Sequence, residues 1–534
     1  MGIGRNQQPD KENLFFQRLM IFLAICLSIK YIFVDFGIDA EFQITMSYRF
    51  TRGDIMFREM WEPYQMSSFL CAFFIKIYTA VFHTTKGIVL FLQFLGVLLD
   101  GSISFLLYRI AKKYLCSGWT AFAMAWVFFL VSPKDVPLPE YANMQIWFST
   151  LLCLTVFLYD KTKKRRFLLL SALCLCGEIL AYPSCLILLP GIAFLFLYRR
   201  HAKGFLFFLG VCFGMGFLYL LWIFQKISVR DFPIYIKNIL ALETSHSTTF
   251  NDKCTAYLRE FAEMALVFAL AYLAAYGIVK MLLWGKKTSI CRKKRILAQD
   301  ILFFLFLLLI GTYTVIFWEY YVRLSYSVVF PAVILIGMRH ADSLDRDTFY
   351  FYLAGTTISF FSFFATIILT NLELIASVPY LLLALVTAFL PIAETIRQIH
   401  PQSFLRKGFR IVTILTAIFL TMRNAYIIRP MNGDVSTVAH IRGIVKDGPA
   451  IGIISEYMGP YMQNESFREW KQYIPDGSRI YLIGGSLDTL GYLYADTEVS
   501  APSVVPTPGY NESILEYWKI NPDKYPDVVI ASCW

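Results

Sequence analysis

Asp39 and Glu41, in FGIDAEFQITMSYRFTRGD (36–54), are the first residues equipped for chemistry. They follow an apolar run, at the point where a spanning helix has just ended. In extended backbone, residues two apart point to one side, so both carboxylates are expected to face one ligand. A carboxylate there can act as general base on an acceptor hydroxyl or amine. A pair can also hold a divalent cation, Mg or Mn, through hard oxygen ligands. Ionised carboxylates beside hydrocarbon are costly, which marks them as candidates for function. The plainer alternative is solvation, or local ion pairs with Arg49 or Arg52.

REMWEPYQMSS (58–68) adds Glu62, Tyr64 and Gln65 as candidates for orienting a sugar. Trp61 in the same stretch is also what an interfacial ring looks like. A second stretch, SPKDVPLPEYANMQ (132–145), places Glu140 and Asn143 at the mouth of an apolar run, where Glu140 would bring a third carboxylate. Lys226, Arg230 and Lys237 lie in 225–257, and Arg323 follows WEYYV. A phosphate-bearing ligand needs such cations, and Arg offers a planar fork to phosphate oxygens. Snorkelling to lipid headgroups is the competing use. The sequence holds no Gly-rich phosphate loop, no H-E-x-x-H and no G-x-S-x-G.

The elements that must position these residues are set by composition. Of 534 residues 57% are hydrophobic, 17% aromatic and 16% charged. That much apolar surface belongs to a polytopic membrane protein. The run from Leu19 to Val34 lacks a small-residue cleavage site and reads as a retained first span. The net charge of +11 is concentrated in short loops between apolar runs, the pattern of cytoplasmic loops rather than of a nucleic-acid surface, so no nucleic acid is expected as partner. The cysteines lie mostly inside apolar runs, without metal-like spacing.

Thirteen runs are long enough to be read as spans: 14–35, 88–108, 117–133, 143–159, 167–181, 183–198, 204–224, 258–284, 300–318, 322–338, 348–370, 374–395 and 409–428. A fourteenth, 67–83, is short and carries Lys76 at its middle. If it does not cross, six basic loops share the cytoplasmic side with the N-terminus. It is therefore read as a juxtamembrane helix within one external loop, 36–87. The expected fold is an α-helical polytopic membrane protein of about 13 transmembrane helices, residues 1–428. From 429 to 534, strand-like runs (AIGIIS, RIYLIGG, DVVIAS) alternate with helical ones, which predicts a small external α/β domain.

This layout resembles the GT-C membrane glycosyltransferases, and among them the protein O-mannosyltransferase-like enzymes and the bacterial aminoarabinose transferases. The resemblance rests on one span, then a long external loop with an acidic motif (IDAEFQITMSYRFTRGD), then WEPYQMSSFLCAFF, a second acidic loop and about thirteen spans. EPYQMSS stands where many relatives carry a histidine-proline motif, which is absent. The resemblance implies transfer of a sugar from a polyprenyl-phosphate carrier to a glycan, lipid or protein acceptor outside the cytoplasm. It places the catalytic carboxylate on Asp39, with Glu41 as its companion, and expects no obligatory metal. It also implies a multi-pass protein of the cell membrane, in contact with membrane lipids, with the active site and the C-terminal domain extracytoplasmic. A flippase or a polymerase of lipid-linked glycans is the competing expectation. Asp100, Glu178 and Glu263, carboxylates within apolar runs, keep transport open.

Overall fold

The computed structural model describes residues 11–133, 136–246, 250–283, 292–317, 322–370, 372–398, 404–428, 436–456, 462–483, 489–505 and 513–531. In chain order the long helices are α1 (Lys11–Phe33), α2 (Ile38–Arg52), α3 (Ser68–Phe82), α4 (Ile88–Tyr114), α5 (Gly118–Leu130) and α6 (Tyr141–Thr162). They continue with α7 (Arg165–Ala181), α8 (Leu188–Tyr198), α9 (Ala202–Phe224), α10 (Phe232–His246), α11 (Phe250–Leu283) and α12 (Arg292–Phe317). The last are α13 (Val322–Arg339), α14 (Arg346–Leu369), the short α15 (Leu374–Ser377), α16 (Leu382–Arg397) and α17 (Phe404–Tyr426). Among the described residues, each of the thirteen apolar runs falls mainly on helix. Among the described residues, nine segments are long and apolar enough to cross a membrane, so this is a multi-pass membrane protein. By length and composition alone Gln65–Phe82 is one of the nine.

The bundle has two distinct ends. At one, the basic loops are tied by ion pairs: Arg199 bridges Asp160 and Asp347 at 2.7 Å each, joining α6, the α8 end and the α14 start. Arg339 and His340, at the end of α13, both hold Asp300 of α12 at 2.8 Å. At the other end lie the start of α6, the end of α7, and most of residues 36–66.

Here the C-terminal segment docks. A two-residue pair, β1 (Ile427–Ile428) with β2 (Ser436–Thr437), follows α17. Next come the antiparallel β3 (Ile441–Ile444) and β4 (Ile454–Glu456). A parallel sheet in the order β6-β5-β7 closes the chain, from β5 (Arg479–Ile483), β6 (Glu498–Val499) and β7 (Val528–Ala531). Strands and short helices, Met462–Tyr473 and Ile514–Ile520 among them, both occur in this segment among the described residues, and the expected boundary at 429 lies outside them.

Both flanks of α3 are bound to this segment. Before it, Trp61 N–H donates to Pro502 O at 2.8 Å. After it, Thr85 Oγ1 donates to the Leu493 carbonyl at 2.9 Å and Gly87 N–H to the Gly448 carbonyl at 3.1 Å. Lys86 pairs with Asp447 at 2.7 Å, which holds that carboxyl down at about 2.

Candidate functional site

The acidic motif is helical, and this corrects the expectation of extended backbone. Three local signals favour α2. Asp39 and Glu41 lie in its first turn, against the positive end of the helix dipole, and Arg49 and Arg52 lie in the last turn. Gly53 ends it at φ 112, its N–H bonded to the Arg49 and Phe50 carbonyls, a left-handed stop that glycine adopts without strain. Asp35, at φ 54, turns the chain from α1 into α2; its Oδ1 accepts from Phe36 N–H at 2.6 Å. In a helix, residues two apart are about 200° apart around the axis. Asp39 and Glu41 therefore point to different faces, and the expected divalent cation shared between them does not fit. Among the described residues no group of three or more His, Cys, Asp and Glu is placed to hold a metal ion.

One face of α2 meets the bundle. Half-buried Asp39 accepts from the Tyr141 hydroxyl at 2.8 Å. One turn on, Gln43 Oε1 accepts from Ser67 at 2.8 Å while its Nε2 donates to Ser47 at 3.0 Å. Tyr141 lies under Tyr64, the rings 4.9 Å apart and stacked within 18°. Tyr182 abuts both rings edge-on, at 5.3 and 5.4 Å, and its hydroxyl lies 3.4 Å from that of Tyr380. Glu140 is buried beside Tyr141 and Cys71. The pieces come from α2, the 61–67 turn, the start of α6 and the end of α7. The 136–138 loop reaches α6 across α4, so close that a Cβ on Gly96 would sit 2.2 Å from the Pro137 carbonyl.

The other face of α2 meets the C-terminal segment. Glu41 is fully buried and accepts from Leu490 N–H at 2.8 Å, across 449 residues of sequence. Thr45 bonds Thr489 at 3.2 Å, and Tyr48 donates to Asp496 at 2.7 Å. Burial, aided by Asp496, pushes the Tyr48 hydroxyl well above its ordinary pKa. Arg49 is the hub: its Nε meets Asp54 at 2.7 Å, Nη1 meets Glu62 at 3.2 Å, and Nη2 donates to the Glu59 and Ala501 carbonyls. Burial alone would lower the Arg49 pKa, but Asp54 and Glu62 prevail and raise it. Burial raises Glu59 and Glu62. Lys524 of the C-terminal segment completes the cluster on Asp54 at 2.7 Å.

Several sequence candidates are thereby reassigned. Glu62 is fully buried, its Oε1 held by Arg49 and by Val504 N–H at 3.0 Å, which gives it a structural tie to the C-terminal segment. Gln65 is buried and accepts from Phe57 N–H at 2.7 Å. Asn143 is buried and ties the preceding loop, donating to the Val136 and Leu138 carbonyls and accepting from Ser132. Glu41 is a docking residue. Tyr64 stays at the site, half-buried. Lys226 and Arg230 are exposed beyond the end of α9, and Arg323 lies in the first turn of α13, its side chain outside the described residues. Tyr141 stands in the 132–145 stretch that the sequence singled out, but with no role given to it; sequence reading missed Tyr182 and Tyr380, which look like any interfacial aromatics until the bundle brings them together. It also missed Arg423, buried at the end of α17 with its guanidinium 3.6 Å over the Tyr326 ring.

The role of Glu41 has a direct consequence. In Glu41→Gln the side-chain carbonyl still accepts from Leu490 N–H, so the variant is expected to keep its activity within about threefold. Glu41→Ala loses a buried charge-assisted bond, roughly 1.5–3 kcal/mol, and is expected to melt lower. Thermal unfolding and turnover of the two variants side by side check this.

An apolar cavity of about 80 Å3, walled by Phe16, Met20, Trp119, Phe304, Val333 and Leu420 among others, shares no lining residue with the Asp39 site. Its one carboxylate, Asp300, is already held by Arg339 and His340, so the cavity is no reaction site.

No family model matches the chain, and no curated protein matches it. Among solved structures it is similar to an archaeal oligosaccharyltransferase, AglB from Archaeoglobus fulgidus, in complex with an inhibitory peptide and a dolichol-phosphate. The identity is 11%, the TM-score 0.44, and the match covers 97% of this chain and 69% of that one.

Proposed function

We propose that the protein is a membrane glycosyltransferase that moves a sugar from a polyprenyl-phosphate donor to an extracytoplasmic glycan, lipid or protein, with Asp39 as general base. The observation that carries this reading is the half-buried Asp39 carboxylate, held by Tyr141 beside the half-buried ring of Tyr64. A fixed carboxylate next to an aromatic face suits a sugar-binding mouth, the ring packing on the apolar side of a pyranose. The basic pins at the opposite end support the orientation, since positive loops stay inside. The fastening of both α3 flanks to the C-terminal segment supports reading 67–83 as non-crossing.

In the step itself, Asp39 takes the proton of the acceptor hydroxyl or amine. The acceptor atom bonds to the anomeric carbon from the side opposite the leaving group. The anomeric C–O bond breaks, and the polyprenyl phosphate departs with the electron pair. Lys226, Arg230 and Arg323 are the cations assigned to its charge. The phosphate is already a good leaving group, so no metal has a necessary part.

The competing reading is a flippase of lipid-linked glycan, favoured by Asp100 of α4 and Glu178 of α7, two carboxylates buried inside the bundle. The test separates the two. Protein in lipid nanodiscs, given a radiolabelled polyprenyl-phosphate sugar and a cell-envelope extract, is expected to move label from the lipid into an acceptor. Label that stays on the lipid but changes leaflet in proteoliposomes without acceptor would overturn transfer in favour of flipping.

A further inference from the structure

Below the Asp39 site, a second polar cluster sits inside the bundle and has no part in the reaction proposed above. Glu178 of α7 is fully buried. Its Oε1 accepts from the Ser149 hydroxyl of α6 and from the Ser362 hydroxyl of α14, the latter at 3.0 Å. Gln145 of α6 donates to both the carbonyl and the hydroxyl of Ser362 at 2.8 Å, and its Oε1 accepts from Thr366 at 3.0 Å. Five polar side chains thus join three helices where hydrocarbon packing alone would leave them free to slide. Among the described residues Glu178 Oε2 has no hydrogen-bond partner, and no basic side chain pairs with either oxygen. An ionised carboxylate so placed is costly, whereas the acceptor role needs no charge.

The spacing connects this cluster to the site. Tyr141, Gln145 and Ser149 lie four residues apart on α6, one stripe of one face. Glu178 and Tyr182 are likewise four apart, with Tyr182 N–H bonded to the Glu178 carbonyl at 2.9 Å. Next to Glu178 the helices are in close contact: a Cβ on Gly177 would meet the Phe148 ring at 2.7 Å.

We propose that Glu178 is a positioning residue, an uncharged acceptor that clamps α6 to α7 and α14 and so fixes Tyr141 and Tyr182 around Asp39. It does not touch substrate. The catalytic part of this inference rests on the transferase reading; the clamp itself does not.

The test compares Glu178→Gln with Glu178→Ala in nanodiscs. Glutamine keeps the carbonyl acceptor for Ser149 and Ser362, so Glu178→Gln is expected to hold kcat and the pH–rate profile within about twofold of wild type. Glu178→Ala is expected to lower kcat by on the order of 10- to 100-fold, because a small misplacement of a reacting group costs that much. Donor KM should change less than threefold. Ser362→Ala, which keeps the carboxyl and loses one donor, should fall in between, and it stands in if Glu178→Ala does not accumulate. Hydrogen exchange along 141–149 should quicken in Glu178→Ala and Ser362→Ala but not in Glu178→Gln. A Glu178→Gln protein as inactive as Glu178→Ala, or a fully active Glu178→Ala, would overturn the proposal, as would unchanged exchange in both clamp variants. If wild type itself transfers no sugar, the transferase reading fails, while the exchange data still decide the clamp.

Discussion

Asp39→Asn is expected to abolish transfer, lowering kcat by roughly 10²- to 10⁴-fold, the contribution of a positioned general base. The substitution is chosen to change one thing. Asparagine has the shape of aspartate, and its carbonyl can still accept from the Tyr141 hydroxyl, which Asp39 does now at 2.8 Å. Asp39 lies on the bundle face of α2, half-buried, whereas the ties described above from α2 to the C-terminal segment run through Glu41, Thr45, Tyr48 and Arg49. Membrane abundance, melting temperature and donor KM are therefore expected to match wild type. The contrast with Glu41→Gln is informative, because both changes remove a carboxylate from the first turn of one helix. Loss of turnover in one and not the other separates a base from a docking group. Near-normal transfer by Asp39→Asn, measured with a synthetic polyprenyl-phosphate sugar, would remove Asp39 as the base.

Where helices fall was legible, because thirteen long apolar runs leave little freedom: each meets its backbone hydrogen bonds internally or not at all. The importance of 36–66 was legible too, since carboxylates and a tyrosine at a membrane rim are unusual. The side chains' directions were not. Reading Asp39 and Glu41 as a co-facing pair assumed period two, although the acidic first turn, the basic last turn and Gly53 already marked a helix of period 3.6. Glu62, Gln65 and Asn143 have the right chemistry for ligand contact and are consumed by Val504, Phe57 and the 136–138 carbonyls. Two of those ties are local and were within reach of the sequence. The bond to Val504 spans 442 residues, and nothing periodic announces it. The same holds for the tyrosine cluster, which needs α6, α7 and the 61–67 turn in one place before it means anything.

Arg49→Ala is expected to cost the most stability of any single change in the first 60 residues. Arg49 is buried and satisfies Asp54, Glu62 and two backbone carbonyls, one of them Ala501 of the C-terminal segment. Removing one partner of a buried ion pair leaves charge without compensation, typically 3–5 kcal/mol. Lys524 remains on Asp54, so the loss concentrates on Glu62. Burial already pushes the Glu62 carboxyl above its ordinary pKa, and without Arg49 it rises further. A group whose folded-state pKa is raised binds its proton more tightly when folded, so its stability term is present at low pH and fades as pH rises through the folded value. Arg49→Ala should therefore melt higher at pH 5 than at pH 8, whereas Arg49→Ala combined with Glu62→Gln should lose much of that difference, the remainder coming from Glu59, which burial also raises. The C-terminal segment should loosen with it: limited proteolysis within 489–505 is expected to speed up in Arg49→Ala at pH 8 and to slow at pH 5. Scanning fluorimetry of the detergent-solubilised variants at the two pH values checks the sign. A flat pH response in Arg49→Ala would mean that Glu62 finds another partner, and that Arg49 is not what holds α2 to the end of the chain.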